Sequence, residues 1–156
     1  KSHKNINDLI ILISNIRSTK AELKITPKLF CDLYLPKVSK NLNILIKDNL
    51  RLLKNIGRVN NVYNKKINDK NSIDIIVFKD KISLNFNEDI DLLSQKQRIL
   101  EKLEKLQKQI NALNIKLKNK AYIKNAPKDI VENDKKLVKE LIVEDDKLRS
   151  IVSSIN

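Results

Sequence analysis

The chain has 156 residues, a formal net charge of +13 and 4% aromatic residues, with one glycine, one cysteine and one histidine. These counts exclude a Gly-rich phosphate loop, an internal disulfide framework and a cysteine-based zinc site, and no apolar run approaches the roughly 20 residues that span a bilayer. The charge favours an acidic partner such as nucleic acid, but lysine is so abundant that its location is stronger evidence than its number.

The first predicted element is an amphipathic helix. Thr26-Pro27 ends the segment, and Arg17 and Lys20 lie toward its C-terminal end, where cations interact favourably with the helix dipole. Five apolar residues share one face of this helix, namely Ile6, Leu9, Ile10, Ile13 and Ile16.

A strand and a second helix follow. The stretch LFCDLYLP alternates apolar and polar residues, which predicts a strand with Cys31 on its buried face. Ser39 suits the N-cap of the second helix, and Gly57 sits where a left-handed C-cap residue is wanted. The inner face of this helix is predicted to be Leu42, Leu45, Ile46, Leu53 and Ile56.

Three more strands complete the first region. A short strand is predicted at 60–63, and a polar loop follows it. The stretch SIDIIVFKDKISLNF predicts a hairpin with strands at 73–78 and 82–86 and a turn at Lys79 to Lys81. Residues 1–88 are therefore predicted to be a small mixed α/β subdomain.

From Asp89 the apolar spacing changes to that of a coiled coil. Residues 89–156 are predicted to form a long antiparallel two-helix coiled-coil hairpin with its tip at about 119–127, so the fold class is α+β. The two predicted seams are Leu92, Ile99, Leu103, Leu106, Ile110, Leu113 and Leu117 on one helix, and Ile130, Leu137, Leu141, Leu148, Ile151 and Ile155 on the other.

The two seams align if the chain folds about residues 123–124, which pairs Ile110 with Leu137 and Leu117 with Ile130. Pro127 suits the first position of the returning helix, and Asp129 suits its positive end. A flanking stripe is available to pack against neighbouring residues or a protein partner, and it consists of Val131, Val138 and Val152.

The tip of the hairpin is basic. No acidic residue occurs from Lys105 to Lys128, which favours phosphate contact, although a solvated hairpin in a lysine-rich protein is the alternative. Tyr122 could stack on a base or fold back as a plug for the turn, and periodicity does not separate these roles. The lysines of this span are Lys105, Lys108, Lys116, Lys118, Lys120, Lys124 and Lys128.

No catalytic or metal site is predicted. PKVSKN resembles the ATP-binding Lys-Met-Ser-Lys-Ser loop of class I aminoacyl-tRNA synthetases, but Ser39 there is better explained as a helix cap. His3 is predicted to lie in a frayed terminus, and Asp145 and Asp146 are predicted to be solvated helix positions.

Residues 116–132, KLKNKAYIKNAPKDIVE, resemble the turn that closes the C-terminal coiled-coil arm of bacterial-type valyl-tRNA synthetases. ISNIRSTKAELKI resembles the last anticodon-domain helix of that family, at Arg17 and Glu22, and the order of elements parallels the family throughout the chain. Tyr122 stands where the family has Phe, and the coinciding tip residues are Leu117, Asn119, Ala126, Pro127, Val131 and Glu132.

Two positions depart from the family pattern. Ala121 replaces a glycine, so the turn could be wound differently. Asn125 replaces a lysine, although Lys124 is adjacent and could substitute for it in a phosphate contact.

The resemblance implies a parent class I valine–tRNA ligase that attaches valine to its tRNA using ATP and Mg²⁺. The catalytic, editing and anticodon-binding domains would lie upstream, and this fragment would hold no cofactor and no catalytic centre. The absence of methionine agrees with a piece of a longer protein. The resemblance also implies a monomeric, cytoplasmic protein without a membrane partner.

The arm itself would reach the tRNA elbow, where the D- and T-loops meet, with lysines on phosphates and Tyr122 or its neighbours against the outermost tertiary base pair. Arg17 and Lys20 are candidates for additional RNA contacts. The competing hypotheses are an RNA- or ribosome-directed arm of another translation factor and a coiled coil that binds another protein through the valine stripe.

Overall fold

The computed structural model describes residues 2–155, and within that range the fold is α+β, as predicted. The chain divides into two units, of which unit 1 comprises residues 2–95 with 154–155 and unit 2 comprises Lys96–Ser153. No helix among the described residues has the length and apolarity needed to cross a membrane. The elements are α1 Ser2–Glu22, β1 Cys31–Tyr34, α2 Lys40–Asp48, α3 Leu50–Asn55, β2 Val59–Tyr63, β3 Ser72–Val77, β4 Asp80–Phe86, α4 Leu92–Lys118, α5 Lys120–Asn125 and α6 Lys128–Ser154.

Unit 1 contains a four-stranded mixed sheet in the order β2-β1-β4-β3. Strand β1 pairs parallel to β2 and antiparallel to β4, and β4 pairs antiparallel to β3. Leu33 lies opposite Leu84 on the two central strands, and both side chains are fully buried. The alternation in LFCDLYLP thus supplies one apolar sheet face, as predicted.

Helix α1 buries a face that differs in part from the predicted one. Leu12 and Ile16 are fully buried and Ile13 is nearly so, whereas Ile6 and Ile10 are exposed by 53% and 55%. The apolar residues of α1 cover more than one face, so periodicity alone could not decide which of them turn toward the sheet.

The second predicted helix is two helices in the structure. Helix α2 ends at Asp48, and Asn49 separates it from α3 with a backbone conformation outside the helical region. The Asn49 amide donates to the carbonyl of Leu45 at 2.8 Å. The predicted cap is confirmed, because the Ser39 hydroxyl oxygen accepts from the Leu42 N–H at 3.3 Å.

The left-handed residue after α3 is Arg58, with φ of 53°, and not Gly57 as predicted. Gly57 is required for a different reason. A Cβ atom at this position would lie 2.8 Å from the carbonyl oxygen of Leu53, which is closer than real Cβ contacts come. Glycine therefore allows the chain to approach the last turn of α3.

The β3–β4 hairpin turns at Phe78 and Lys79, slightly earlier than predicted, and Phe78 has φ of 60°. Asp80 fixes this turn to the start of α2. Its carboxylate accepts from the Ser39 N–H at 2.9 Å and from the Ser39 hydroxyl at 2.6 Å.

Unit 2 is an antiparallel hairpin of α4 and α6. Two ion pairs show that the helices are antiparallel. Lys102 of α4 pairs with Glu144 of α6 at 3.2 Å, and Lys116, later in α4, pairs with Asp134, earlier in α6, at 3.3 Å. The predicted seam of α4 is confirmed over its middle, where the buried residues are Ile99, Leu103, Leu106 and Ile110.

The predicted seam of α6 is wrong in its first half. Val131 and Val138 are buried, whereas Ile130 and Leu137 are exposed by 44% and 43%. The first half of α6 is rotated by one residue from the predicted register, whereas Leu148, Ile151 and Ile155 of the predicted seam are buried as predicted. The residues predicted to flank the hairpin therefore fill its interior, and the stripe assigned to a protein partner is not available at these two positions.

Asp145 is buried at 5% exposure and is not the solvated residue that its sequence context predicts. The side-chain amide of Gln107 donates to it across the hairpin at 3.0 Å, and Arg149 donates to it from the next turn at 2.6 Å. The Arg149 guanidinium and the Gln107 amide hold the pKa of Asp145 below its ordinary value. A buried carboxylate with both partners in place fixes the pairing of the two helices.

Candidate nucleic-acid interface

The tip of the hairpin is a separate short helix, α5, between α4 and α6. The Asn119 side chain caps it, since Oδ1 accepts from the N–H of Ala121 at 3.0 Å and of Tyr122 at 3.3 Å. The carbonyl of Pro127 accepts from the Val131 N–H at 3.2 Å, so α6 begins directly after the proline. No side chain of α5 is buried. The tip thus owes its shape to local capping and not to a core.

All seven lysines of the acid-free span are exposed. Lys108 pairs with Glu104 at 3.4 Å and Lys116 pairs with Asp134 at 3.3 Å. The others have no carboxylate within ion-pair distance among the described residues, so their charges are open to an external anion. These are Lys105, Lys118, Lys120, Lys124 and Lys128.

Tyr122 is half-buried and joins the tip to α6. Its hydroxyl donates to the carboxylate of Asp134 at 2.6 Å, and the ammonium of Lys116 lies 4.7 Å from its ring centroid. These contacts fit the turn-plug alternative, because one ring face and the hydroxyl are already engaged. Stacking of this ring on a base stays a prediction.

Tyr122, Lys116 and Asp134 form a cluster in which the charges of Lys116 and Asp134 compensate each other. The hydroxyl of Tyr122 and the ammonium of Lys116 lower the pKa of Asp134, and Tyr122 and Asp134 raise the pKa of Lys116. Because Lys116 is paired with Asp134, its charge is less available to a phosphate than that of the unpaired lysines.

Ile123 is an exposed residue of the tip that the sequence pattern did not single out. Its side chain is 45% exposed on α5, beside the half-buried Tyr122. The stretch from Asn119 is a poor helix former. In a short helix that turns Tyr122 inward, however, Ile123 points about 100° away from it, toward solvent. That geometry is the signal that could have identified Ile123.

The two candidate contacts outside the arm differ in exposure. Arg17 is exposed on α1. Lys20 is only 1% exposed, and its ammonium donates to the carbonyl of Leu29 at 2.6 Å. Burial lowers the pKa of Lys20. The structure thus gives Lys20 no surface that RNA could reach.

The described residues contain no cluster of three or more His, Cys, Asp or Glu side chains that could hold a metal ion. Cys31 is buried, and burial raises the pKa of its thiol to about 11. His3 is exposed within the first turn of α1.

Comparison with known proteins gives a consistent result. Residues 91–156 match the family described as the valyl tRNA synthetase tRNA binding arm. Valine–tRNA ligase from Pelagibacter ubique is 34% identical over 134 residues, covering 86% of this chain, and the enzyme from Petrotoga mobilis is 29% identical over 157 residues, covering all of it. The enzyme from Mesorhizobium japonicum is 28% identical over 148 residues, covering 92% of this chain.

The chain spans 15% of the length of the first of these relatives, 18% of the second and 16% of the third. The match to the arm family covers α4, α5 and α6. The relatives extend the similarity across the α/β region. The chain therefore belongs to the valyl-tRNA synthetase family, with the tRNA-binding arm of that family in residues 91–156.

Proposed function

We propose that this chain is the non-catalytic, tRNA-binding C-terminal region of a valine–tRNA ligase. The observation that carries the proposal is the coincidence of the family match over residues 91–156 with an exposed, acid-free basic tip in the same segment. Residues 89–156 act as the arm, and residues 1–88 act as the end of the anticodon-binding region.

The arm binds tRNA through its phosphate backbone. The unpaired lysines of the tip release counterions when they neutralise phosphates, which gives a salt-dependent affinity with a slope of about −0.7 to −0.9 per contact. Such contacts recognise the shape of folded RNA and not its sequence. By resemblance to the family, the surface contacted is the tRNA elbow.

The apolar contact at the tip is assigned to Ile123, with Tyr122 behind it. Ile123 is exposed on α5, whereas the Tyr122 hydroxyl is occupied by Asp134. An apolar side chain at the end of an arm can rest against the open face of the outermost base pair, while the lysines on either side hold the backbone.

The chemistry of the parent enzyme is proposed to lie outside this chain. Attachment of valine to its tRNA would use ATP and Mg²⁺ bound by other parts of the polypeptide. The parent is proposed to be monomeric and cytoplasmic, with the tRNA for valine as its substrate.

The test is a triple charge reversal in the full-length enzyme, Lys118→Glu with Lys120→Glu and Lys124→Glu. We expect weaker tRNA binding and a salt dependence reduced by about 0.7–0.9 in log–log slope for each phosphate that is no longer neutralised. The measurement is a tRNA-binding titration at several salt concentrations, with valine charging of tRNA followed in parallel.

A matched control reverses three exposed lysines of α6 away from the tip, Lys136→Glu with Lys139→Glu and Lys147→Glu. Both triple variants have the same net charge. Equally weakened binding in the two would mean that only overall charge matters. Unchanged tRNA binding in the tip variant, together with capture of a stable protein partner, would favour the protein-binding coiled coil instead.

A further inference from the structure

The β2 edge of unit 1 carries a groove of about 390 Å³ between α3 and β2. Arg51 and Lys54 line it from α3, where a spacing of three residues places both exposed side chains on one face of the helix. Among the described residues, no carboxylate lines the groove and neither cation has an ion-pair partner. The groove therefore presents two positive charges that an external anion can meet directly.

The strand side of the groove adds uncharged hydrogen-bonding groups. Asn60 and Asn61 line it with exposed side chains, and their side-chain amides have no hydrogen-bond partner within residues 2–155. Because β2 is an edge strand of the sheet, its outer backbone groups pair with no further strand. Amide and guanidinium groups of this kind bind the phosphate and sugar oxygens of nucleic acids.

Tyr63 lies two residues beyond Asn61 on the same strand, about 7 Å along it. Its ring is 37% exposed, with its centroid 4.9 Å from that of Tyr34 and 5.4 Å from the ammonium of Lys65. A tyrosine and a lysine also pair at the tip of the arm, but Asp134 binds both of them there. Neither the Tyr63 hydroxyl nor Lys65 has an anionic partner in the described part of the chain, so both are open to a phosphate.

An extended acidic peptide is the other ligand that an edge strand beside two cations could bind. The register between β1 and β2 shifts between Cys31 and Leu33, which marks an irregularity in this strand pair. Irregularities of this kind hinder the addition of a further strand to an edge. The exposed ring of Tyr63 favours nucleic acid, because a base can stack on it.

We propose that the β2 edge binds an unpaired stretch of RNA, with phosphates on Arg51 and Lys54 and a base against the ring of Tyr63. Lys65 is exposed and has a flexible side chain, so its ammonium moves from the ring to the adjacent phosphate when the base stacks. The ring selects unpaired nucleotides, since the bases of a duplex are already stacked on one another. The proposal rests on the proposed function, because the RNA is the tRNA that the arm binds.

The first test removes the ring in the full-length enzyme. Tyr63→Ala is expected to weaken binding of the tRNA for valine on the order of ten- to a hundredfold, which is the effect of one lost stacked base. Tyr63→Phe keeps the ring and should bind within about threefold of the native enzyme. The measurement is a tRNA-binding titration, and thermal melting checks that Tyr63→Ala stays folded without its contact to Tyr34.

The second test reverses the charge of the groove with Arg51→Glu and Lys54→Glu, at exposed positions where folding is not at risk. We expect the log–log salt slope of tRNA binding to fall by about 0.7 for each phosphate that is no longer neutralised. The matched control is Lys28→Glu with Lys79→Glu, at exposed positions outside the groove, which changes the net charge equally and should change the slope less.

Native tRNA affinity in either folded variant, Tyr63→Ala or the groove reversal, would overturn the proposal. Equal weakening by the groove reversal and its control would also overturn it, because only overall charge would then matter. If Tyr63→Ala does not fold, the groove reversal and its control decide. Loss of an acidic protein partner from the groove variant with tRNA binding intact would assign the edge to a peptide instead.

The tip variant separates this proposal from the proposed function of the arm. If reversal of Lys118, Lys120 and Lys124 leaves tRNA binding unchanged while the groove reversal weakens it, the proposed function of the arm fails and the assignment of the β2 edge stands. If the tip reversal weakens binding and the groove reversal does not, the assignment of the β2 edge alone fails.

Discussion

Tyr122 shows how one side chain of the tip can be engaged through both its hydroxyl and its ring. Its hydroxyl binds Asp134 and one face of its ring lies under Lys116, so the residue connects α5 to both long helices. The ring is therefore held in place by contacts within the chain. The exposed apolar surface next to it belongs to Ile123.

The roles of Tyr122 and Ile123 are separable by substitution. Tyr122→Phe removes the hydrogen bond to Asp134 and should lower the free energy of unfolding by about 1 kcal/mol. Ile123→Ala should leave the free energy of unfolding within about 0.5 kcal/mol, because this side chain is not buried, yet it should weaken tRNA binding. The measurements are urea unfolding and a tRNA titration of each variant. Much weaker binding by Tyr122→Phe with unchanged binding by Ile123→Ala would reverse the assignment.

Asp134 should make the stability of the tip sensitive to acid. Its pKa in the folded state is lowered by Tyr122 and Lys116, so the folded state binds its proton less readily than the unfolded state does. The stabilisation that this lowered pKa provides is present above the unfolded pKa of about 3.9 and is lost as the pH falls through the folded pKa.

Asp134→Asn is therefore expected to be less stable than the native protein at pH 7 and to approach it as the pH falls below about 4. Urea unfolding across this range measures the gap. Glu140→Gln, at an exposed position of the same helix, serves as the control for the loss of one carboxylate. A constant gap between Asp134→Asn and the native protein at all pH values would contradict the expected role of this carboxylate.

Cys31 should make the stability of the folded protein sensitive to alkaline pH. Burial raises the pKa of its thiol from 9.0 to about 11, so the folded state holds this proton more tightly than the unfolded state. The stabilisation that this raised pKa provides is complete below the unfolded pKa. It is lost as the pH rises through the folded pKa, which lowers the free energy of unfolding by about 2–3 kcal/mol. The lowered pKa of Lys20 acts in the opposite sense and offsets part of this decrease.

Comparison with Cys31→Ala isolates the thiol. The native protein should lose more stability than this variant between pH 9 and pH 11, as measured by urea unfolding, and its thiol should not react with a disulfide reagent while the chain is folded. Rapid reaction of native Cys31 near neutral pH would show that the thiol is not buried.

At the scale of the helices, α4 and α6 are joined by polar contacts as well as by apolar ones. Carboxylates of α6 are bound from α4 along the hairpin, where Glu144 meets Lys102, Asp145 meets Gln107 and Asp134 meets Lys116. These polar pairs are made in the register in which Val131 and Val138 face inward and the larger Ile130 and Leu137 are partly exposed.

This register predicts that the smaller side chain of Val138 contributes more to the free energy of unfolding than the larger side chain of Leu137 does. Val138→Ala should lower the free energy of unfolding by about 1–3 kcal/mol, because it removes two buried methyl groups. Leu137→Ala removes a larger side chain that is 43% exposed and should cost about 1 kcal/mol or less. Chemical denaturation of both variants measures the difference. The reverse order of costs would restore the register in which Leu137 faces α4.

The sequence predicted the elements better than their faces. The alternation around Cys31 and the leucine spacing of α4 identify the elements because each has one apolar face. In α1 and α6 apolar residues occupy adjacent faces, as at Leu137 and Val138, so spacing alone leaves the helix rotation open. Asn49 divides α2 from α3 without a proline or glycine to mark the break.

The candidate site could also be predicted only in part from the sequence. The acid-free lysine span is a property of the sequence, and the structure leaves all seven lysines exposed. The pairing of Lys116 with Asp134 depends on the helix register and could not be read from spacing. The burial of Lys20 could not be predicted either, because a cation near a helix end is normally solvated.

At the scale of the molecule, the positive charge is general, and the acid-free span of residues 105–128 carries seven of the lysines. The net charge of +13 would attract any polyanion weakly, whichever face is presented. Because the two triple lysine variants have the same net charge, a difference between them measures the placement of charge alone. Specific recognition of tRNA predicts that this difference is larger for folded tRNA than for an unstructured polyanion.

The isolation of α5 has a consequence for how this protein can change over time. Since none of its side chains is buried and its start is fixed by Asn119, most substitutions between the two long helices leave the fold intact. The residues at the exposed positions of α5 are therefore not constrained by the packing of an interior. The surface of the tip can therefore change while the buried residues of α4 and α6 keep the hairpin closed.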